Sequence, residues 1–256
     1  MNYAHGSISW VDLTSPNIDE AIVFYLKIFG WESPARVPSG HPGQPDYGLF
    51  TLGGKRVAGV GQMPEESKAA GTLANWNSYV AVDDINVILA AATQAGGAVV
   101  LPRMALPDGA GALAYFTDPE GATLALFESG TMTGAEIVNR PGCHCWNELL
   151  TIDLSSAVAF HGALFGWNID QHPAVEEEYK LIEVGDGQIG GMRAVDQSVS
   201  PYWRVYFAVD DVEAVCERTK SAGGAVVYEP IDTPFGRIAW LRDPHGAEFS
   251  VVTFAS

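Results

Sequence analysis

A short stretch rich in apolar residues runs over Ser7–Leu13, and apolar residues then recur at helical spacing at Ala21, Ile22, Phe24, Tyr25, Ile28 and Phe29. The first pattern predicts a strand and the second a helix with one apolar stripe. Asn17 is placed to cap that helix, with Glu20 three residues on and Gly30 to stop it in the left-handed conformation. A Pro/Gly-rich loop, Pro38 to Pro45, leads to two short predicted strands, Tyr47–Leu52 and Val57–Gln62, around Gly53-Gly54-Lys55. The plan then restarts. Trp76–Val82 reads as a strand, Asp84–Ala95 as a helix stopped by Gly96-Gly97, and Ala98–Leu101, Leu113–Thr117 and Thr123–Glu128 as strands. Asp118-Pro119-Glu120-Gly121 makes a tight turn between the last two.

The whole pattern is then repeated. Phe29-Gly30-Trp31 recurs as Phe165-Gly166-Trp167, and Trp10-Val11-Asp12-Leu13 as Trp146-Asn147-Glu148-Leu149. Tyr79-Val80-Ala81-Val82-Asp83-Asp84 returns as Tyr206-Phe207-Ala208-Val209-Asp210-Asp211, Gly96-Gly97-Ala98-Val99 as Gly223-Gly224-Ala225-Val226, and Asp118-Pro119-Glu120-Gly121 as Asp243-Pro244-His245-Gly246. Order is kept throughout, which marks a tandem duplication. The expected domains are residues 7–128 and 143–254, joined by a linker over 129–142 that is rich in small and polar residues.

With 47% hydrophobic and 18% charged residues, each copy can bury a core. A formal charge of −17 argues against nucleic acid and against anionic membrane surfaces as partners. No apolar run reaches the length of a membrane span, and the N-terminus lacks a basic stretch followed by an apolar one. The three cysteines form no CxxC pair, which fits reduced thiols. The expected setting is the cytoplasm. No glycine pattern for phosphate opens a helix, and no Gly-x-Ser-x-Gly elbow is present.

Four strand–helix–strand–strand units, with Phe-Gly-Trp stops, Val-Asp-Asp before the second helix of each copy and Asp-Pro-x-Gly before its last strand, resemble the vicinal oxygen chelate superfamily. That group includes glyoxalase I, bleomycin-resistance proteins and extradiol dioxygenases. The two-domain form is similar to glyoxalase-like or hydroxylase-like proteins of actinobacteria. The resemblance implies an α+β fold of two tandem domains, each a pair of βαβββ modules forming a curved mixed-sheet cup that binds its ligand inside. It also implies that the duplication meets the pairing other members achieve by dimerising, so a monomer or a homodimer is expected.

Metalloenzymes of the superfamily hold their ion with His and Glu at fixed strand positions. Carried onto this chain, those positions fall on Trp10, Asn77, Ala125 and, approximately, Val60 in the first copy, and on Trp146, Arg204, Ser250 and, approximately, Met192 in the second. None is His, Glu or Cys, and indole, guanidinium and alkyl groups do not ligate a transition metal. No metal and no cofactor are expected.

Residues two apart on a strand share a face. The cup face of the second copy therefore carries His144, Trp146 and Glu148, then Tyr202, Arg204 and Tyr206, then Glu248 and Ser250. That of the first carries Trp10 and Asp12, then Asn75, Asn77 and Tyr79. Glu148 and Asp12 are the candidate acid–base residues. Trp146, Arg204, Tyr206, Tyr202, Ser250, His144, Trp10 and Asn77 are the candidate ligand contacts. Each has a structural alternative. The tryptophans serve equally as core, Arg204 can be neutralised by Glu148 or Glu248, and His144 can be a surface or capping residue. A displaced metal set of His144, Glu148 and Glu248 can also be drawn on one face. Cys143 and Cys145 point away from it, Glu176-Glu177-Glu178 reads as a solvated loop, and the loop Gly40 to Pro45 as a lid on the first cup.

The expected function is binding of a small, partly aromatic or polyoxygenated molecule without the superfamily's metal. Plain sequestration and metal-independent acid–base chemistry, of a lyase, isomerase or hydroxylase-like kind, both stay open. The alternatives are a glyoxalase-like or dioxygenase-like metalloenzyme with displaced ligands, and a regulatory or scaffolding protein with vestigial cups.

Overall fold

The longer helices begin where a side chain can take the place of a missing carbonyl. Asn17 accepts from the Glu20 amide to start α1 (Ile18–Phe29), and Asp84 from the Asn86 and Val87 amides to start α3 (Ile85–Gln94). Asp153 and Asp211 do the same for α4 (Leu154–Phe165) and α5 (Val212–Ser221). The Val-Asp-Asp repeat is thus a capping device, and Asp84 lies outside the helix it was expected to open. Gly30 and Gly166, both at φ 68°, end α1 and α4 in the left-handed conformation.

The computed structural model describes residues 2–33, 36–37, 46–173, 175 and 178–255. The loop Pro38 to Pro45, the lid assigned to part of it, and Glu176 and Glu177 lie outside the described residues. Each copy forms one eight-stranded mixed sheet. The first contains β1 (Ile8–Ser15), β2 (Arg36–Val37), β3 (Tyr47–Leu52), β4 (Lys55–Gln62), β5 (Asn75–Ala81), β6 (Ala98–Ala105), β7 (Gly111–Thr117) and β8 (Thr123–Ser129). Its order is β2-β3-β4-β1-β5-β8-β7-β6, with β1/β4 and β5/β8 parallel. The second contains β9 (His144–Thr151), β10 (Asn168–Gln171), β11 (Tyr179–Val184), β12 (Gly187–Ala194), β13 (Tyr202–Ala208), β14 (Ala225–Thr233), β15 (Gly236–Arg242) and β16 (Glu248–Phe254). It repeats the order as β10-β11-β12-β9-β13-β16-β15-β14. Both sheets are open. The pattern of strands matches the expected fold, with one addition. The short helix α2 (Glu65–Ala69) buries none of its residues and so carries no apolar stripe for a sequence to show.

The chain packs as two compact units whose boundaries cut across the repeat. One comprises Met1–Trp10, Ser78–Gly134 and Trp146–Arg204, and the other Val11–Asn77, Ala135–Cys145 and Val205–Ser256. Each has its own core. In the first unit, Ile85, Ile88, Phe116, Leu126, Leu149, Phe160, Phe165 and Trp167 close around α3 and α4. In the second, Phe24, Tyr25, Phe29, Trp31, Phe50, Phe207, Val215 and Phe249 close around α1 and α5.

The repeated Asp-Pro-x-Gly turn has a second role inside these units. One oxygen of Asp243 accepts from the His245 and Ala247 amides, closing the turn, while the other accepts from the Tyr25 hydroxyl at 3.2 Å. Trp76 Nε1 in turn donates to the Tyr25 hydroxyl at 2.9 Å. In the other unit Asp118 closes its turn with the Glu120 and Ala122 amides and meets His161 Nε2 at 3.3 Å. Each turn is therefore tied to a helix of the other copy.

Candidate functional site

In the first unit β9 and β12 run parallel with Glu148 opposite Gly191, and β11 pairs with β12 so that Tyr179 reaches over that glycine. A β-carbon at Gly191 would overlap the Tyr179 ring and hydroxyl. The bare glycine is what lets the phenol lie flat across the strand and hydrogen-bond to Glu148. Trp146 Nε1 donates to the same hydroxyl at 3.0 Å. On the other side of Glu148, Arg204 NH1 lies 3.8 Å from Oε2, with both side chains 6% exposed. Arg204 Nε donates to the Tyr202 hydroxyl at 3.0 Å, and the guanidinium sits 5.3 Å from the centroid of the Tyr202 ring. Trp146, Tyr179, Glu148, Arg204 and Tyr202 thus form one connected row.

Burial forces this arrangement. An ionised carboxylate removed from water is tolerable only with a cation or several donors on it. Burial, reinforced by the charge of Glu148, pushes the Tyr179 phenol well above its ordinary range, so Tyr179 keeps its proton and acts as a donor.

The second unit holds the same row with milder chemistry. Tyr47 donates to Asp12 Oδ2 at 2.9 Å, lying over Gly59, which pairs with Asp12. Asn77 Nδ2 donates to Asp12 Oδ1 at 2.8 Å and to Thr14 Oγ1 at 3.0 Å, and Asn75 Nδ2 donates to Asn77 Oδ1 at 2.7 Å. An amide stands here where Arg204 stands in the other copy. Tyr206, Ser250 and His144 also belong to the second unit, and Tyr206 and Ser250 are cross-strand partners. Trp10 is buried in the first unit.

Several expectations change. His144 is buried, not a surface residue. Glu248 is bound to Arg242 at 2.6 Å, so of the two carboxylates offered for Arg204 it is Glu148 that neutralises it. Among the described residues no three of His, Cys, Asp and Glu come together as a metal site, and His144, Glu148 and Glu248 are not brought together. Val60 and Met192 lie in the apolar cores opposite Leu13 and Leu149. The face that carries Asp12 and Glu148 has Gly59 and Gly191 at that point instead. The donor set at the superfamily's metal positions, led by indole, amide, guanidinium and hydroxyl groups, does not fit a transition ion. Tyr47 and Tyr179 were missed. Their signal was present as a repeated Tyr at the head of the strand before each glycine-bearing hairpin.

Comparison with known proteins agrees with this architecture. Residues 7–126 match the model of the Glyoxalase/Bleomycin resistance protein/Dioxygenase superfamily, and residues 149–252 the model of a Glyoxalase-like domain. The candidate glyoxylase CFP32 of Mycobacterium tuberculosis is 38% identical over 253 residues, covering 98% of this chain and 95% of that protein. The chain belongs to this superfamily. A second relative, the anthracycline biosynthesis protein DnrV of Streptomyces peucetius, is 36% identical over 262 residues, covering 98% of this chain and 94% of its own. Among solved superfamily structures, the Mn(II)-bound glyoxalase from Novosphingobium aromaticivorans shares the fold with a TM-score of 0.64 at 16% identity, covering 98% of this chain and 85% of that one. The 2,3-dioxygenase LapB from Pseudomonas sp. KL28 does so with 0.63 at 14% identity, covering 99% and 94%. No helix is long and apolar enough to cross a membrane among the described residues.

Proposed function

We propose that this superfamily member binds a small, partly aromatic and oxygenated organic molecule without the superfamily's metal, and that the row around Glu148 and Arg204 is its principal site. The observation that carries this is the pairing of a buried carboxylate with a tyrosine over glycine, at the same strand positions in both copies, next to a tryptophan. Arg204 supplies a planar cation for a carboxylate or phenolate, Glu148 an acceptor for a hydroxyl, and Trp146 and Tyr202 aromatic walls. The relative named for anthracycline biosynthesis favours the same chemistry, because an anthracycline is a fused-ring aromatic bearing several oxygens. Asp12, with Tyr47 and Asn77, offers a weaker version of the site that has no cation.

Glu148 and Asp12 are the groups that would accept a proton if the bound molecule reacts, each with a tyrosine phenol at hand to return one. Sequestration needs only the binding part of this chemistry.

Thermal-shift measurements with salicylate, which combines an aryl ring, a carboxylate and a hydroxyl, test the proposal. The expected outcome is a rise in Tm with wild-type protein that is lost with Arg204→Met and reduced with Tyr202→Phe. A shift of equal size in both variants would place the site elsewhere. Elemental analysis of protein purified without chelators is the companion measurement, and a stoichiometric transition metal would overturn the metal-free reading.

A further inference from the structure

His161 on α4 and Tyr25 on α1 hold the same place in the two copies, and the rings around them keep the same spacing. Phe165 and Trp167 lie with centroids 4.7 Å apart at 31°, and Phe29 and Trp31 4.7 Å apart at 32°. Trp203 meets His161 edge-on at 5.5 Å and 89°, as Trp76 meets Tyr25 at 5.1 Å and 86°. One oxygen is not shared. The Tyr25 hydroxyl accepts from Trp76 Nε1 at 2.9 Å and donates to Asp243 Oδ2 at 3.2 Å, joining an indole to the turn aspartate. Imidazole carries no such oxygen. In the first unit Trp203 Nε1 is buried without a hydrogen-bond partner, so it does not reach Asp118, whose Oδ2 is met by His161 Nε2 at 3.3 Å. The cluster has not drawn in to make up for the smaller ring, since indole and imidazole stand no closer than indole and phenol. A buried N–H without an acceptor costs stability, and folded proteins regularly serve such groups with an internal water.

We propose that the first unit binds one internal water between Trp203 Nε1 and Asp118 Oδ2, at the position the Tyr25 hydroxyl takes in the second. The water accepts from the indole and donates to the carboxylate, reproducing both bonds of the phenol with an oxygen that is not covalently attached. An internal water needs about two to four polar partners and room of its own size. Trp203 and Asp118 are the partners, and the step from phenol to the smaller imidazole frees the room. Trp203 is a core residue that sits between Tyr202 and Arg204 on β13 and takes the opposite face of the strand. The water therefore braces from behind the strand that carries Arg204.

High-resolution crystal structures of the full chain test it. Wild-type protein is expected to show one ordered water within about 3.2 Å of both Trp203 Nε1 and Asp118 Oδ2. His161→Tyr, which restores the residue of the other copy, is expected to lose that water and to place its hydroxyl there. No water on Trp203 Nε1 in wild-type protein would overturn the proposal, and so would a water that persists unchanged beside the new hydroxyl. Should the variant fail to fold, NMR of wild-type protein decides. The Trp203 indole proton, assigned by its loss in Trp203→Phe, is expected to show laboratory-frame and rotating-frame Overhauser cross-peaks to water of opposite sign, the mark of a long-held water. Their absence would equally overturn the assignment.

Discussion

Tyr47 lies over Gly59, its Cζ 2.6 Å from where a β-carbon at that residue would sit, and from there it donates to Asp12 at 2.9 Å. Tyr179 stands in the same relation to Gly191 and Glu148. Neither glycine is needed for a turn here. Each is needed because a ring occupies the space a side chain would take.

Gly59→Ala and Gly191→Ala should therefore expel the tyrosine and strip a donor from a buried carboxylate. Overpacking and an unsatisfied acceptor together predict a loss of about 2–4 kcal/mol. Tyr179→Phe, which keeps the ring and removes only the hydroxyl, should cost less, about 1–2 kcal/mol. Urea titration of the three variants checks the order, and a Gly191→Ala protein as stable as wild type would show that the phenol does not need the glycine.

Glu148 and Arg204 form a buried pair, so removing one partner is worse than removing both. Arg204→Met should cost about 3–5 kcal/mol by leaving the carboxylate without its cation, whereas the double change with Glu148→Gln should recover most of that loss. A double-mutant cycle in denaturant measures the coupling. Additive losses would mean that the 3.8 Å separation carries no net attraction.

The duplication made most of the fold legible before any coordinate. Strand alternation placed Asp12 with Asn77, and Glu148 with Arg204, on shared faces, where each pair meets. What failed was register. The superfamily's metal position could be carried only approximately to Val60 and Met192, and the parallel pairing of β1 with β4 and of β9 with β12 turns both of these into the cores. A single-residue slip exchanges faces, and no local signal fixes it between parallel strands. Tyr47 and Tyr179 escaped notice for the same reason, since their partners lie on strands distant in sequence. The compact units, which join parts of both copies, leave no composition change at their borders.

Tyr25 links Trp76 to Asp243 within a buried aromatic cluster. Burial, with the charge of Asp243 adding to it, holds the Tyr25 phenol well above its ordinary range, and burial likewise raises the Asp243 carboxyl. Tyr25→Phe leaves the shape and strands both an indole N–H and a carboxylate oxygen, for a predicted loss of about 2–4 kcal/mol. The Asp243 proton works in the opposite sense to most carboxylates. A raised folded pKa means the native state holds that proton longer, so its contribution is present at low pH and fades as pH rises through the folded value. Asp243→Asn should remove this slope in an acid titration of stability while keeping the shape of the turn.

His161 occupies in the first unit the place Tyr25 holds in the second, and the exchange makes that unit sensitive to acid. It is fully buried, its Nε2 meets Asp118 at 3.3 Å, and its Nδ1 and the nearby Trp203 Nε1 have no hydrogen-bond partner. Burial outweighs the attraction of Asp118 and lowers its pKa, so the ring is neutral in the fold with its proton on Nε2. Below the unfolded value of about 6.5 the unfolded chain takes up a proton that the native state resists. Stability from this group is therefore complete above that pH and falls on acidification, by at most about 1.4 kcal/mol per pH unit until the lowered folded pKa is reached. His161→Tyr transplants the arrangement of the other copy, with a hydroxyl to receive Trp203 and to donate to Asp118. It should flatten the pH dependence below about pH 6.5 in chemical denaturation. A wild-type profile already flat over that range would show that His161 keeps an ordinary affinity for its proton despite its burial.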